Sequence, residues 1–138
     1  MREIKFRAWT NGWMGRGPSS KMIYSGDLAD HYDSESAIDF YPIKEGDTLM
    51  QYINQKDSEG TKIYEGDVVT WYNPMIETGE RMTGVVVYDT KQATYKKCPI
   101  NLYKANAGNG GYTGYEFRWY DNVKVLGNIH ENPELLQN

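Results

Sequence analysis

The chain has 138 residues, a formal net charge of -4 and an aromatic fraction of 14%, with 12 Tyr and 4 Trp against a single cysteine. That length suits one compact domain or two small lobes, and rings that each bury about 150–250 Å² argue against disorder. One cysteine, Cys98, excludes an intrachain disulfide and any zinc site built from several thiolates. No run approaches the roughly 18 apolar residues of a membrane span, and "MREIKFRAW" lacks the apolar core of a secretory signal. A soluble cytoplasmic protein with no membrane partner is therefore expected.

Short alternating runs dominate, and helical periodicity is nearly absent. "EIKFRAW", residues 3–9, sets Ile4, Phe6 and Ala8 on one face of a predicted strand and Lys5, Arg7 and Trp9 on the other. "GRGPSS" interrupts the pattern, and "KMIYSGD" and "SAIDFYP" read as two further short strands. Two strands then start from the same acidic turn: "EGDTLMQY" at 45–52 and "EGDVVTWY" at 65–72. Glycine tolerates the positive φ of a tight turn and aspartate can accept from turn amides, so Gly66 and Asp67 are expected to be architectural. "QKDSEGTK" between them reads as a hairpin loop.

"TGVVVYD", "YEFRWYD" and "NVKVLGNI" continue the strand signals. Their alternation predicts Trp71, Val85, Val87, Phe117, Trp119 and Val125 on a core face, with Arg118 and Lys124 facing water. "ANAGNGGYTG", residues 105–114, is too rich in glycine for a regular element. "NPELLQN" suits a helical turn with Asn132 as cap and Pro133 in first position. The expected architecture is mainly β: an N-terminal β lobe over 1–55, a small barrel over 60–130, and a tail over 131–138.

Four segments, "MREIKFRAW", "LMQY…KDSEGTKIYEGDVV", "GVVVYD" and "VKVLGNIHENPELL", together resemble the YopX family of phage- and prophage-encoded proteins. The resemblance implies a mostly β protein with an SH3-like barrel in its C-terminal part, acting in a bacterial host. The family has no established biochemical function, so it supplies no catalytic residues. Where its members usually read "YTGLKD", this chain has Ile53, Asn54 and Gln55 after Tyr52. Asn54 thus replaces a glycine, and asparagine also tolerates the left-handed region.

Motifs for chemistry are sparse. Cys98 could be a nucleophile only beside His31 or His130, and "KKCPI" carries no such signature; a small buried thiol is the plainer reading. The acidic run "GDLADHYDSES" does not match a calcium loop, and "AGNGGYTG" lacks the lysine and strand-to-helix setting of a phosphate cradle. Hence no catalytic residue, metal ligand or cofactor is assigned. The basic, aromatic N-terminal strand is the one candidate surface. Lys5, Arg7, Trp9, Trp13 and Arg16 combine cations with flat rings, the ingredients of a stacking surface for single strands.

Charge is unevenly laid out. Residues 1–21 carry +4, residues 22–67 carry -8, and the remainder balances. Such halves can pair within one chain or between copies. The overall acidity disfavours phosphate binding. The combined expectation is a non-enzymatic protein–protein interaction module that self-associates or binds a host or phage protein. A small nucleic-acid-binding accessory protein is the alternative.

Overall fold

Those alternating runs form two antiparallel sheets in the computed structural model of the chain, which describes residues 4–10, 21–24, 48–72, 81–105, 114–118 and 121–137. The strands are β1 (Phe6–Thr10), β2 (Lys21–Tyr24), β3 (Thr48–Lys56), β4 (Lys62–Tyr64), β5 (Asp67–Tyr72), β6 (Arg81–Asp89), β7 (Thr94–Pro99) and β8 (Lys124–Asn128). A short helix, α1 (Ile100–Ala105), follows β7, and a 3-10 turn spans Pro133–Leu136. The first sheet has the order β2-β1-β3-β4 and the second β7-β6-β5-β8. The protein is mainly β, as its sequence pattern indicated. Among the described residues no helix is long and apolar enough to cross a membrane.

The chain divides into two compact units, Met1–Tyr52 and Ile53–Asn138, and β3 runs through the division. In the first unit β1 is the middle strand, with Arg7 opposite both Tyr24 of β2 and Met50 of β3, and Ala8 opposite Ile23 and Leu49. A middle strand has neighbours along both edges, and here Arg7 and Ala8 are both buried although they point to opposite faces. The expected division of β1 into a buried and a solvated face therefore fails at Arg7, which is only 3% exposed.

The second unit has a core on each face of its sheet. Val69, Trp71 and Val86 cluster with Ile53, Ile63 and Val123, and Met82, Tyr95, Phe117 and Val125 pack against them. On the opposite face Val68, Val85, Val87 and Cys98 pack under Tyr103 of α1 and under Ile129, Leu135 and Leu136. Each such valine contributes about 1.5–3 kcal/mol relative to exposure. Trp71, Val85, Val87, Phe117 and Val125 are thus turned inward and Arg118 and Lys124 outward, but the inward set is split between two faces rather than sharing one. The contiguous run Val85–Val86–Val87 is the cause: both faces of β6 are covered, so alternation cannot pick a side.

Two expectations need correction. Residues 115–118 do not form the predicted strand; Tyr115 makes one isolated bridge to Lys97, and residues 116–118 are irregular. Asn132 makes no side-chain cap to the 3-10 turn, because its Oδ1 accepts instead from the Asn128 amide at 3.2 Å. Of β7 only its end was foreseen, since the proline after Cys98 suggests a strand end, and α1 had no counterpart among the predicted elements. The turn 45–47, the run "SAIDFYP", the acidic stretch 27–35 with His31, the glycine-rich 106–113, and Trp119 lie outside the described residues.

Candidate functional site

The acidic turn ahead of β5 is a junction of backbone hydrogen bonds. Gly66 has φ +86°, the left-handed region in which a side chain is strained. Its N–H donates to the Val86 carbonyl at 2.9 Å, and its own carbonyl accepts from Ile129 at 3.0 Å. Beside it Asp67 is buried and its Oδ2 accepts from the Tyr64 amide at 2.8 Å. One turn thereby ties β4, β6 and the end of β8 together.

A second junction, missed in the sequence, lies at Asp57 in the loop between β3 and β4. Its Oδ1 accepts from the amides of Glu59 at 2.9 Å and Thr61 at 2.8 Å, and its Oδ2 from Val125 of β8 at 3.0 Å. Burial pushes this carboxyl upward, but the amides of Val125, Thr61 and Glu59 outweigh it and hold the pKa below the ordinary value of 3.8. The spacing Asp57–Gly60 was the available clue, since such loops close by the aspartate side chain bonding amides ahead of it. Asn128 plays the same part at the other end of β8: its Oδ1 accepts from His130 and Glu131, and its Nδ2 donates to Glu131.

Two lysines of β7 are buried with carboxylates. The Lys96 ammonium bonds Asp89 at 2.8 Å, and that ammonium with the amides of Lys91 and Gln92 holds the Asp89 carboxyl below its usual range. Lys97 is 0% exposed, and its Nζ donates to Asp121 beneath the rings of Trp71 and Phe117. Burial drives the Lys97 ammonium down, with the Asp121 carboxylate opposing that shift. Nothing in "TYKKCP" signals inward lysines, because the rule that lysine faces water normally holds. Adjacent Cys98 is fully buried, and burial pushes its thiol up to about 11, so it is held as an unreactive thiol. Among the described residues no group of His, Cys, Asp and Glu converges to hold a metal ion.

The candidate N-terminal surface is only partly an outer face. Lys5 and Trp9 are half-buried, Arg7 is buried, and Trp13 and Arg16 lie outside the described residues. Large apolar side chains are exposed both there, at Ile4 and Leu49, and in the second unit. Leu102 stands out from α1 at 42% and Leu126 from β8 at 44%. Leu126 is the extra residue of a bulge, since Val68 pairs with Gly127 while the next residue, Val69, pairs with Val125.

A family model described as "YopX protein" matches residues 5–137. The chain belongs to the YopX family. The segments that carry the resemblance contain the junctions just described: Asp57 and Gly60, Gly66 and Asp67, and the Asn128 hook. Asn54, where the resemblance leads one to expect glycine, has φ +63°, a left-handed conformation that asparagine tolerates. The crystal structure of protein EF1440 from Enterococcus faecalis is similar at 20% identity, covering 99% of this chain and 100% of its own, with a TM-score of 0.46. No match is found among curated proteins.

Proposed function

We propose that this YopX-family protein is a non-enzymatic protein–protein interaction module, encoded by a phage or prophage and acting in the cytoplasm of the bacterial host. The observation that supports this most is the division of labour among side chains. The buried aspartates of the second unit (Asp57, Asp67, Asp89 and Asp121) all accept hydrogen bonds that fix its own backbone. Leu102 and Leu126 meanwhile offer apolar surface on a helix and a strand rather than in a loop. In this reading the recognisable sequence pattern builds a small SH3-like barrel, and the exposed apolar positions select the partner, which is a host or phage protein or a second copy of the chain.

Partner docking would use side chains rather than strand addition. Both edges of the second sheet are blunted: on β8 the amides of Val125 and Asn128 are taken by Asp57 and Asn132, and on β7 Tyr115 bridges Lys97 and Pro99 has no N–H. The nucleic-acid alternative loses support because Arg7, central to the proposed stacking surface, is buried.

The test pairs affinity capture from the lysogenic host with the variants Leu102→Glu and Leu126→Glu. A discrete partner retained by the parent chain and lost by either variant, with unchanged melting temperature, supports the reading. Light scattering separates the two kinds of protein partner: a mass constant at 15.9 kDa on dilution removes self-association. Tight binding of a fluorescent single-stranded oligonucleotide that weakens steeply with salt, undisturbed by the leucine variants, would replace this reading with the nucleic-acid one.

A further inference from the structure

The Lys97 side chain sits among groups arranged for an ammonium ion. Its Nζ lies 5.0 Å from the Trp71 ring centroid and 5.2 Å from that of Phe117, both within the roughly 6 Å reach of a cation–π contact. Asp121 supplies the counter-charge, and its Oδ2 also accepts from the Arg118 amide at 2.8 Å, which fixes the carboxylate independently of the lysine. The Asp121 backbone is fixed too, since its carbonyl accepts from Tyr72 at 2.8 Å and its amide donates to the Arg118 carbonyl at 3.1 Å.

The segment carrying Phe117 and Asp121 is clasped to β7 at the lysine itself. Lys97 and Tyr115 exchange both backbone hydrogen bonds, at 2.8 and 2.9 Å. Gly114 lies so close that a Cβ there would stand 2.7 Å from the Lys97 carbonyl oxygen. The walls therefore come from Trp71 of β5 and from Phe117 and Asp121, and the occupant comes from β7.

We propose that Trp71, Phe117 and Asp121 form an alkylammonium-binding cage whose occupant in the native chain is Lys97 itself. Each wall has a framework of its own: Trp71 belongs to the apolar cluster of Val69 and Val86, and Asp121 is held by Arg118 and Tyr72. Shortening the lysine leaves a slot with two ring faces along it and a carboxylate at its end. The ligand class is an unbranched primary alkylammonium. With Cβ retained in Lys97→Ala, n-propylammonium replaces the missing three carbons and the nitrogen atom for atom.

Thermal unfolding of Lys97→Ala with n-propylammonium chloride is the test, with n-propanol as the uncharged match. The cage predicts a melting temperature that climbs with the logarithm of amine concentration, by about 4 °C once the amine exceeds its dissociation constant several-fold. It predicts no such rise with n-propanol, in the parent chain, or in Lys97→Ala/Asp121→Asn. If Lys97→Ala is unfolded without ligand, the folded fraction by tryptophan fluorescence is read instead and should climb with the amine alone. Equal rescue by n-propanol, or no response to the amine in either readout, overturns the proposal. In the unaltered chain the Lys97 ε-methylene protons should show upfield ring-current shifts by NMR; shifts typical of a solvated lysine would overturn it as well.

Discussion

Gly66 and Asp57 show how single residues hold this fold. Gly66 is at φ +86° with both its backbone groups bonded to other strands, so a β-branched side chain there is strained and cannot relax without breaking them. Gly66→Val should cost at least about 1 kcal/mol, seen as a lower melting temperature, while an unchanged value would show the turn to be permissive. Asp57 makes a pH-dependent contribution. Its carboxyl titrates below 3.8 when folded, so its stabilisation is complete above the unfolded value and is lost as pH falls through the lower folded one. Asp57→Asn should lower the urea midpoint at pH 7 and shrink the further loss between about pH 4 and pH 2; an identical acid limb in both proteins would remove Asp57 from the acid response. The Gly66 geometry was legible because glycine and aspartate act locally. Arg7 was misplaced because what covers each face of a strand is set by tertiary packing, not by local alternation.

Among the elements, β8 is the most instructive. Among the described residues it is an edge strand, paired with β5, yet the amides of Val125 and Asn128 are capped by the side chains of Asp57 and Asn132. Edge amides left open recruit other chains. The double variant Asp57→Ala/Asn132→Ala should therefore aggregate at concentrations where the parent chain stays dispersed, as static light scattering would record. If it stays dispersed, the caps serve stability alone. The strand signal of β8 was readable from its alternation, whereas β7 showed only its Pro99 end, because the burial of Lys96 and Lys97 depends on Asp89 across the hairpin and on Asp121 further along the chain. The apolar alternation of 115–121 likewise imitates a strand, but residues 116–118 after the Tyr115 bridge are irregular, with Phe117 on the core and Asp121 at Lys97.

At the scale of the molecule, the segments that carry the YopX resemblance coincide with backbone junctions: Asp57 with Val125 and Gly66 with Val86 and Ile129 across long stretches of chain, and Asp67 with Tyr64 within one turn. This is why the sequence disclosed family and fold class more readily than function. The residues of those segments fill strict turn geometries, while Leu102 and Leu126 satisfy no internal rule that a pattern could betray. Equilibrium urea unfolding of Asp67→Ala, followed by tryptophan fluorescence, decides whether the acidic turn is structural. Removing the carboxylate takes from the buried Tyr64 amide the acceptor that Asp67 supplies. A structural turn should lose about 1–3 kcal/mol, read as a lower midpoint with an unchanged slope; a midpoint equal to that of the parent chain would contradict a structural role.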